Sequence, residues 1–284
     1  MLHQHASMLW PGLRTRALTF SYDDCVLQDI KLLSLFNRNG EKATFNMNSG
    51  FFGHVDSLIR EGRVVDHSHV RADEVAELYK GHEVAVHTVT HPNLCQLPDC
   101  QVIDEVIQDR RNLEELVHYP VRGMAYPGGC VDERVIGLLK GCGIVYSRAV
   151  GTTGRFSLPE ENLNWKCSCH HWGLEPLIEP FLGEGDDLRL LSCWGHAYEF
   201  DQRSDWDVIE RQLDRLGNHD EVWYATNIEV FDYIAAFKAL DFTVDGRFVT
   251  NRSALDVCLR LGKKSLTVHA GETAELQAVS WRNK

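Results

Sequence analysis

The chain has 284 residues, 44% hydrophobic and 25% charged, an ordinary globular composition long enough for one large domain or two small ones. Its 29 Lys and Arg against 41 Asp and Glu give a net charge of −12, and no stretch concentrates basic residues. A nucleic-acid backbone or an anionic membrane is therefore not expected as partner. Nine cysteines without paired Cys-x-x-Cys spacing fit reduced thiols in a cytosolic protein better than a disulfide framework. Met1 to Pro11 has neither the basic start nor the apolar run of a secretory signal, and no run approaches a membrane span, so a cytoplasmic location is expected.

Residues 17–23 read as a buried strand ending in two acids, Asp23 and Asp24, followed by a helix over 26–38 that Asn39-Gly40 closes. A second strand over 42–47 leads into a Gly-rich loop through Gly50 and Gly53 and a helix over 72–80. The third strand, 84–86, delivers His87 at its end and His91 four residues on, just before Pro92, which stops any helix from continuing. Helix 102–117, strand 121–126, helix 131–140 and an extended stretch over 143–150 carry the alternation forward.

From 151 to 187 the rhythm breaks into a loop-rich segment holding Trp165, Cys167, Cys169, His170, His171 and Trp172. Loops of that length inside a compact domain tend to be functional. A strand over 188–194 runs on to His196; Ser204 opens a helix reaching Gly217, and strand 222–226 and helix 229–240 follow. Beyond Asp241 the stretches 242–249, 255–261 and 265–269, separated by Asp245-Gly246, Gly262-Lys263 and Ala270-Gly271, read as β-hairpins.

About seven βα units predict an α/β fold, a distorted (β/α)7 TIM-like barrel over 1–240, with a small C-terminal β-hairpin appendage over 241–284 packed on it. In such a barrel the C-terminal strand ends carry the site, and Asp23, Asp24, His87, Arg122, Tyr126 and His196 all fall there or along a strand leading there. Asp24, His87 and His91 form a two-histidine, one-carboxylate set that leaves coordination positions open for water and substrate, and Asp23 is the nearest base. Taken singly, the same residues also read as acids capping a helix and as histidines held by local hydrogen bonds.

Four stretches in order resemble the motifs of the polysaccharide deacetylases with a nodulation-deacetylase homology domain, carbohydrate esterase family four. Thr19-Phe20-Ser21-Tyr22-Asp23-Asp24 is similar to its Thr-Phe-Asp-Asp-Gly, with Ser21-Tyr22 interposed and Cys25 at the glycine. His87-Thr88-Val89-Thr90-His91 is similar to its His-Ser/Thr-x-x-His. Arg122 through Tyr126-Pro127-Gly128 resembles the third motif with a longer spacing, and Leu191 to His196 the fifth. The resemblance implies Asp23 as general base, Asp24, His87 and His91 as metal ligands, and His196 as general acid. It further implies that Arg122 orients Asp23 and that the backbone N–H of Tyr126 holds the oxyanion.

No Asp-x-x-Asp-Trp motif is present. Trp165 is then the expected aromatic wall of a substrate pocket, with Tyr198 also expected there and His170 and His171 either lining it or forming a structural pair. The acid beside His196 is unassigned, Asp201 or an acid near Asp186 being candidates. The implied reaction is metal-dependent removal of N-acetyl groups from an acetylated sugar or oligosaccharide of chitooligosaccharide or peptidoglycan type, with a metal-bound water as nucleophile. An esterase acting on O-acetyl xylan or another glycan, and a carbohydrate-binding protein with decayed catalysis, are the alternatives. Zinc is the default metal from the ligand types, with Co2+, Ni2+ and Mn2+ also able to serve. The expected partner is an acetylated carbohydrate, and oligomeric state is not legible.

Overall fold

The computed structural model describes residues 6–276, so the outer ends of both expected domains, 1–5 and 277–284, lie outside the described residues. The first barrel strand, Arg16–Asp23, is buried along its whole length, as a strand with parallel neighbours on both sides should be. It pairs with the second, Ala43–Met47, setting Asp23 opposite Asn46. The second pairs with the third, Glu83–Val86, setting Met47 opposite Val86. The third pairs with the fourth, Gly123–Ala125, and the fourth with the fifth, Tyr146–Thr152, setting Ala125 opposite Arg148.

The fifth strand's other neighbour is Trp165–Cys167, and the same run of chain continues as Cys169–His170 onto the seventh strand, Arg189–His196. That strand returns to the first along its full length, ending with His196 opposite Asp23. The expected α/β class and distorted seven-station barrel therefore hold. The ring is split at its sixth station, where the Ser168 N–H crosses to the Ser192 carbonyl at 2.8 Å. Val222–Tyr224 pairs with the beginning of the first strand as a side branch.

Helices cover the strands through apolar stripes at helical spacing. Asp29–Arg38 buries Leu32, Leu33, Leu35 and Phe36, and Phe36 packs on Phe20 and Phe45 of the first two strands. This helix starts at Asp29 rather than 26 because Asp24 and Cys25 have φ of 78° and 55°, which no right-handed helix admits. The helix expected over 72–80 shrinks to a turn at Ala72–Glu74 and a short Val75–Leu78, ended by Gly81 at φ 89°.

A hairpin goes unread by the sequence: Ser57–Arg60 pairs with Arg63–Asp66 around Glu61-Gly62, both at positive φ. Most of its side chains are exposed, so it lacks the alternating burial that announces a strand. Within the expected loop 151–187 lie the two short sixth-station strands and a helix, Glu175–Leu182.

The C-terminal hairpin Val257–Leu261 with Lys264–Val268 forms as expected, but its sheet is completed by the start of the chain. Ala6–Leu9 pairs antiparallel with Val257–Leu261. Stretch 242–249 is not one strand: Asp241–Phe242 turns at Asp245-Gly246 and pairs with Phe248–Thr250, which also pairs with Thr273–Glu275. Val257, Leu259 and Val268 pack with Ala236 and Leu240 at the end of the last barrel helix. Tyr233 ties all three parts together, its Oη donating to the Leu9 carbonyl at 2.6 Å and accepting from the Cys258 N–H at 2.8 Å.

The expectation of nine reduced thiols is corrected at one pair. Cys95 and Cys130, 35 residues apart with Cα atoms 6.1 Å from each other, form a disulfide, and seven cysteines are free. No spacing rule links two cysteines that the fold brings together on neighbouring rim loops. With this bond formed, cysteine usage no longer argues for a reducing compartment. No helix among the described residues is long and apolar enough to cross a membrane.

Candidate metal and catalytic site

The register sets His196, Asp23 and Asn46 level at the C-terminal rim of the barrel, and two residues further along the next three strands come His87, just past Val86, then Ala125 and Arg148. A cleft of about 470 Å³ opens over this rim, lined by Asp23, Asp24, His87, His91, His196 and Tyr198 among others. Backbone strain concentrates at its base. Asp24 (φ 78°), Cys25 (55°), Thr88 (69°) and His91 (55°) all sit in left-handed conformations that glycine adopts without penalty. Cys25, standing where the resemblance expects glycine, takes a glycine's conformation. Such a turn aims the Asp24 carboxylate back across the rim instead of letting it cap the following helix, which no side chain caps.

His87 is fixed from three sides. Its N–H meets Asp109 Oδ2 at 3.0 Å, its Nδ1 meets the Ala125 carbonyl at 2.8 Å, and its ring is fully buried. Burial holds the imidazole neutral, with a pKa lowered to about 4, so Nδ1 carries the proton and donates to Ala125 while Nε2 keeps a free lone pair. That buried Nε2 has no hydrogen-bond partner and lies 3.7 Å from Asp24 Oδ1. His91 Nε2 lies 3.8 Å from the same oxygen. The loop carrying His91 is held by Thr90, whose N–H and Oγ1 both bond Glu105, and by Gly50, where a Cβ would fall 2.4 Å from the Val89 carbonyl.

Donor atoms of Asp24, His87 and His91 thus lie within 4.8 Å of one another. A four-coordinate cation at about 2.0–2.2 Å from each donor spans edges of roughly 3.3–3.6 Å, so the 3.7 and 3.8 Å separations from Asp24 Oδ1 need contract by only a few tenths of an ångström. An orphaned buried imidazole nitrogen beside a carboxylate is the arrangement a divalent cation completes, and the residues fit one. Asp24 is kept below the usual carboxylate range. Burial opposes this, but the hydrogen bond from His67 and the nearby His196, His87 and His91 outweigh it. His67 Nε2 stands 3.4 Å from Asp24 Oδ2 and comes from the segment after the unread hairpin.

Asp23 occupies the centre. Its Oδ1 accepts from Asn46 Nδ2 at 2.9 Å, and its Oδ2 accepts from Arg148 Nη2. The same oxygen lies 3.8 Å from both His87 Nε2 and His196 Nε2. Burial alone would raise its pKa, but the Arg148 charge, reinforced by His87 and His196, lowers it. Arg122 does not orient Asp23, because its guanidinium is partly exposed and pairs with Asp232 at 2.6 Å. The longer Arg122–Tyr126 spacing places Arg122 before the fourth strand, Gly123–Ala125, below the rim. The arginine that reaches Asp23 is Arg148, 0% exposed on the fifth strand and stacked over Trp194 at 4.7 Å.

His196 faces Asp23 with Nε2 and Glu199 with Nδ1, 3.2 Å from Glu199 Oε2. Neither acid named from the sequence is there. Asp201 bonds Gln28 and Trp206, and Asp186 lies 3.8 Å from Arg260. Burial would lower the His196 pKa, but the Glu199 hydrogen bond and the charges of Asp24, Asp23 and Glu199 raise it to about 9.

Other expectations are corrected by packing. Trp165 is 2% exposed and packs against Tyr146 in the barrel interior, so it forms no pocket wall; Trp194 lines the cleft instead. The Tyr126 N–H is spent on the Arg148 carbonyl at 3.0 Å and its Oη on the Leu163 carbonyl at 2.7 Å, leaving neither for an oxyanion. Tyr198 does line the cleft, its ring between those of His67 and His196. His170 and His171 lie behind His196 around Glu199 and are not among the cleft-lining residues.

The sequence model of the family described as polysaccharide deacetylase matches residues 12–147. Among solved structures, a putative polysaccharide deacetylase from Mycobacterium smegmatis is 15% identical with a TM-score of 0.56, covering 81% of this chain and 93% of that one. A family 4 carbohydrate esterase from Streptomyces lividans in complex with acetate is 14% identical with a TM-score of 0.44, covering 75% and 92%. A Streptococcus pyogenes deacetylase in complex with acetate is 18% identical with a TM-score of 0.40, covering 46% and 55%, so the chain spans about half of its length. No curated protein sequence matches. At such identity the Mycobacterium structure shows a shared fold. Residues 12–147, which hold Asp23, Asp24, His87 and His91, are thus the part of the chain that is similar to the polysaccharide deacetylases in sequence.

Proposed function

We propose that the protein is a metal-dependent hydrolase that removes N-acetyl groups from an acetylated sugar or oligosaccharide. Asp24, His87 and His91 would hold the divalent cation, zinc by donor type, with Co2+, Ni2+ and Mn2+ able to replace it. When bound, that cation supplies Lewis acidity and lowers the pKa of water. Asp23, kept anionic by Arg148, is the base that accepts the proton of the attacking water. Asn46 on Oδ1 and Arg148 on Oδ2 hold the carboxylate in one orientation without exhausting its lone pairs. His196, protonated at neutral pH and braced by Glu199, donates its Nε2 proton to the leaving nitrogen. Trp194 and Tyr198 flank the position where a sugar ring would lie.

The observation that carries this reading is the placement of Asp23, with Oδ2 3.8 Å from His87 Nε2 on one side and 3.8 Å from His196 Nε2 on the other. Base, acid and cation donors thus converge on one cleft. The protonated His196 favours an amide over an ester, because an amine cannot depart as an anion whereas an alkoxide leaves with far less help.

The test is acetate release from N-acetylated chitooligosaccharides and from O-acetylated xylan after chelation and metal add-back. Release from the N-acetyl substrates, lost on chelation and restored by metal, supports the proposal. Release from xylan alone would make the protein an esterase. Glycan binding with no release from metal-replete protein would make it a binding protein.

A further inference from the structure

Behind His196, on the side away from Asp23, four nitrogen atoms crowd one carboxylate oxygen. Glu199 Oε2 accepts the His196 backbone N–H at 3.0 Å and lies 3.1 Å from His170 Nε2, 3.2 Å from His196 Nδ1 and 3.6 Å from His171 Nε2. A carboxylate oxygen accepts about two good hydrogen bonds, so this convergence exceeds what charge pairing with His196 needs.

His171 is the telling residue. Its side chain is 1% exposed, and neither ring nitrogen has a hydrogen-bond partner. The ring is wedged between Tyr22, stacked at 5.9 Å, and Phe200, at 4.4 Å. It lies so close to Gly195 that a Cβ there would fall 2.0 Å from Nδ1. For packing alone a phenyl ring would serve that slot without burying two unsatisfied polar atoms. Burial holds the imidazole neutral, well below its ordinary pKa, which leaves a lone pair available.

We propose that His170, His171 and Glu199 form a second divalent-metal site, separate from the cleft, whose cation competes with His196 for the Glu199 carboxylate. One donor atom from each residue lies within 4.8 Å of the other two. The separations of 3.1 and 3.6 Å between Glu199 Oε2 and the two Nε2 atoms bracket the roughly 3.3 Å edge of a tetrahedron with about 2.0 Å bonds. Two imidazoles and one carboxylate select zinc and its transition-metal neighbours over calcium or magnesium. His170, 17% exposed and packed against Trp172, is the most open of the three donors.

Cobalt titration of the chelated full chain, read by visible absorption and by elemental analysis after desalting, tests the site. Wild type is expected to take up two equivalents, and His170→Gln one fewer than wild type. His91→Ala, which damages only the cleft set, is expected to retain one equivalent and so gives the answer even if His170→Gln fails to fold. Uptake of a single equivalent by wild type, equal uptake by wild type and His170→Gln, or no uptake by His91→Ala would each overturn the proposal.

Discussion

Arg148 holds Asp23 in a buried ion pair, the guanidinium 0% exposed and the carboxylate 3% exposed, one rising from the fifth strand and the other ending the first. Each charge is tolerable there only because the other is present. Replacing Arg148 by Met strands the carboxylate. It is expected to lower stability by about 3–5 kcal/mol and to remove most activity, since Asp23 then takes up a proton instead of serving as base. Arg122→Met breaks only a partly exposed pair with Asp232, so a change within about 1 kcal/mol and near-normal acetate release are expected. Urea denaturation and acetate assays on both variants settle which arginine serves the site. Equal damage from the two would reinstate Arg122.

Base and ligands separate in the same way. Asp23→Asn keeps the Asp24, His87 and His91 donors, so metal content is expected to stay near wild type while acetate release falls by roughly 10²–10⁴-fold. Asp24→Asn and His91→Ala are expected to lose cleft metal as well as activity. Elemental analysis beside the activity assay reads the difference, and an Asp23→Asn protein that retained full activity would remove Asp23 as base.

What the sequence made legible, and what it hid, follows from where each signal lives. His87 and His196 sit at the ends of short apolar runs, with His91 four residues after the first, and a strand's end is where a barrel puts chemistry, so local pattern found them. Arg148 and Glu199 act across the barrel or across a helix turn, and nothing local names their partners. A faint signal existed for each. An arginine inside the apolar run Tyr146 to Val150 demands a buried anion. Glu199 lies three residues after His196, one turn on, in the helix Tyr198–Arg203. His67 was hidden because the exposed hairpin before it has no alternating pattern.

The two tryptophans expose the same limit. Trp165 stands in a loop-like, polar stretch yet packs in the core, while Trp194 stands in an apolar strand yet borders the cleft. Trp165→Ala is expected to cost about 3–5 kcal/mol in urea denaturation with little effect on KM. Trp194→Ala is expected to raise KM for a chitooligosaccharide several-fold. An unchanged KM in Trp194→Ala would remove it from the substrate wall.

Cys95 and Cys130 tie the loop after His91 to the turn after Tyr126, two segments that border the cleft. Thiol titration of the denatured, unreduced chain should count seven free thiols, and nine after reduction. Replacing both cysteines by Ala is expected to lower stability by roughly 2–4 kcal/mol, the usual worth of a cross-link closing such a loop. Nine free thiols before reduction would show that the bond does not form.

Glu199 sets the last expectation, read in metal-free protein. Burial would push the His196 imidazole down, but the Glu199 hydrogen bond and the charges of Asp24, Asp23 and Glu199 carry it up to about 9, against about 6.5 in an unfolded chain. A folded pKa above the unfolded one means that the native state binds the proton more tightly. The stabilisation is therefore complete below about pH 6.5 and is lost as pH rises through 9. Glu199→Gln removes the largest support for that proton. The stability gap between wild type and Glu199→Gln, from urea denaturation, should be widest near pH 6 and should narrow steadily toward pH 10. In His170→Gln enzyme reloaded with cleft metal, where no second cation competes for the carboxylate, the same substitution should move the alkaline limb of kcat to lower pH, because the proton His196 donates is then lost sooner. A gap constant with pH, together with an unmoved kcat profile, would show that Glu199 does not hold the proton on His196.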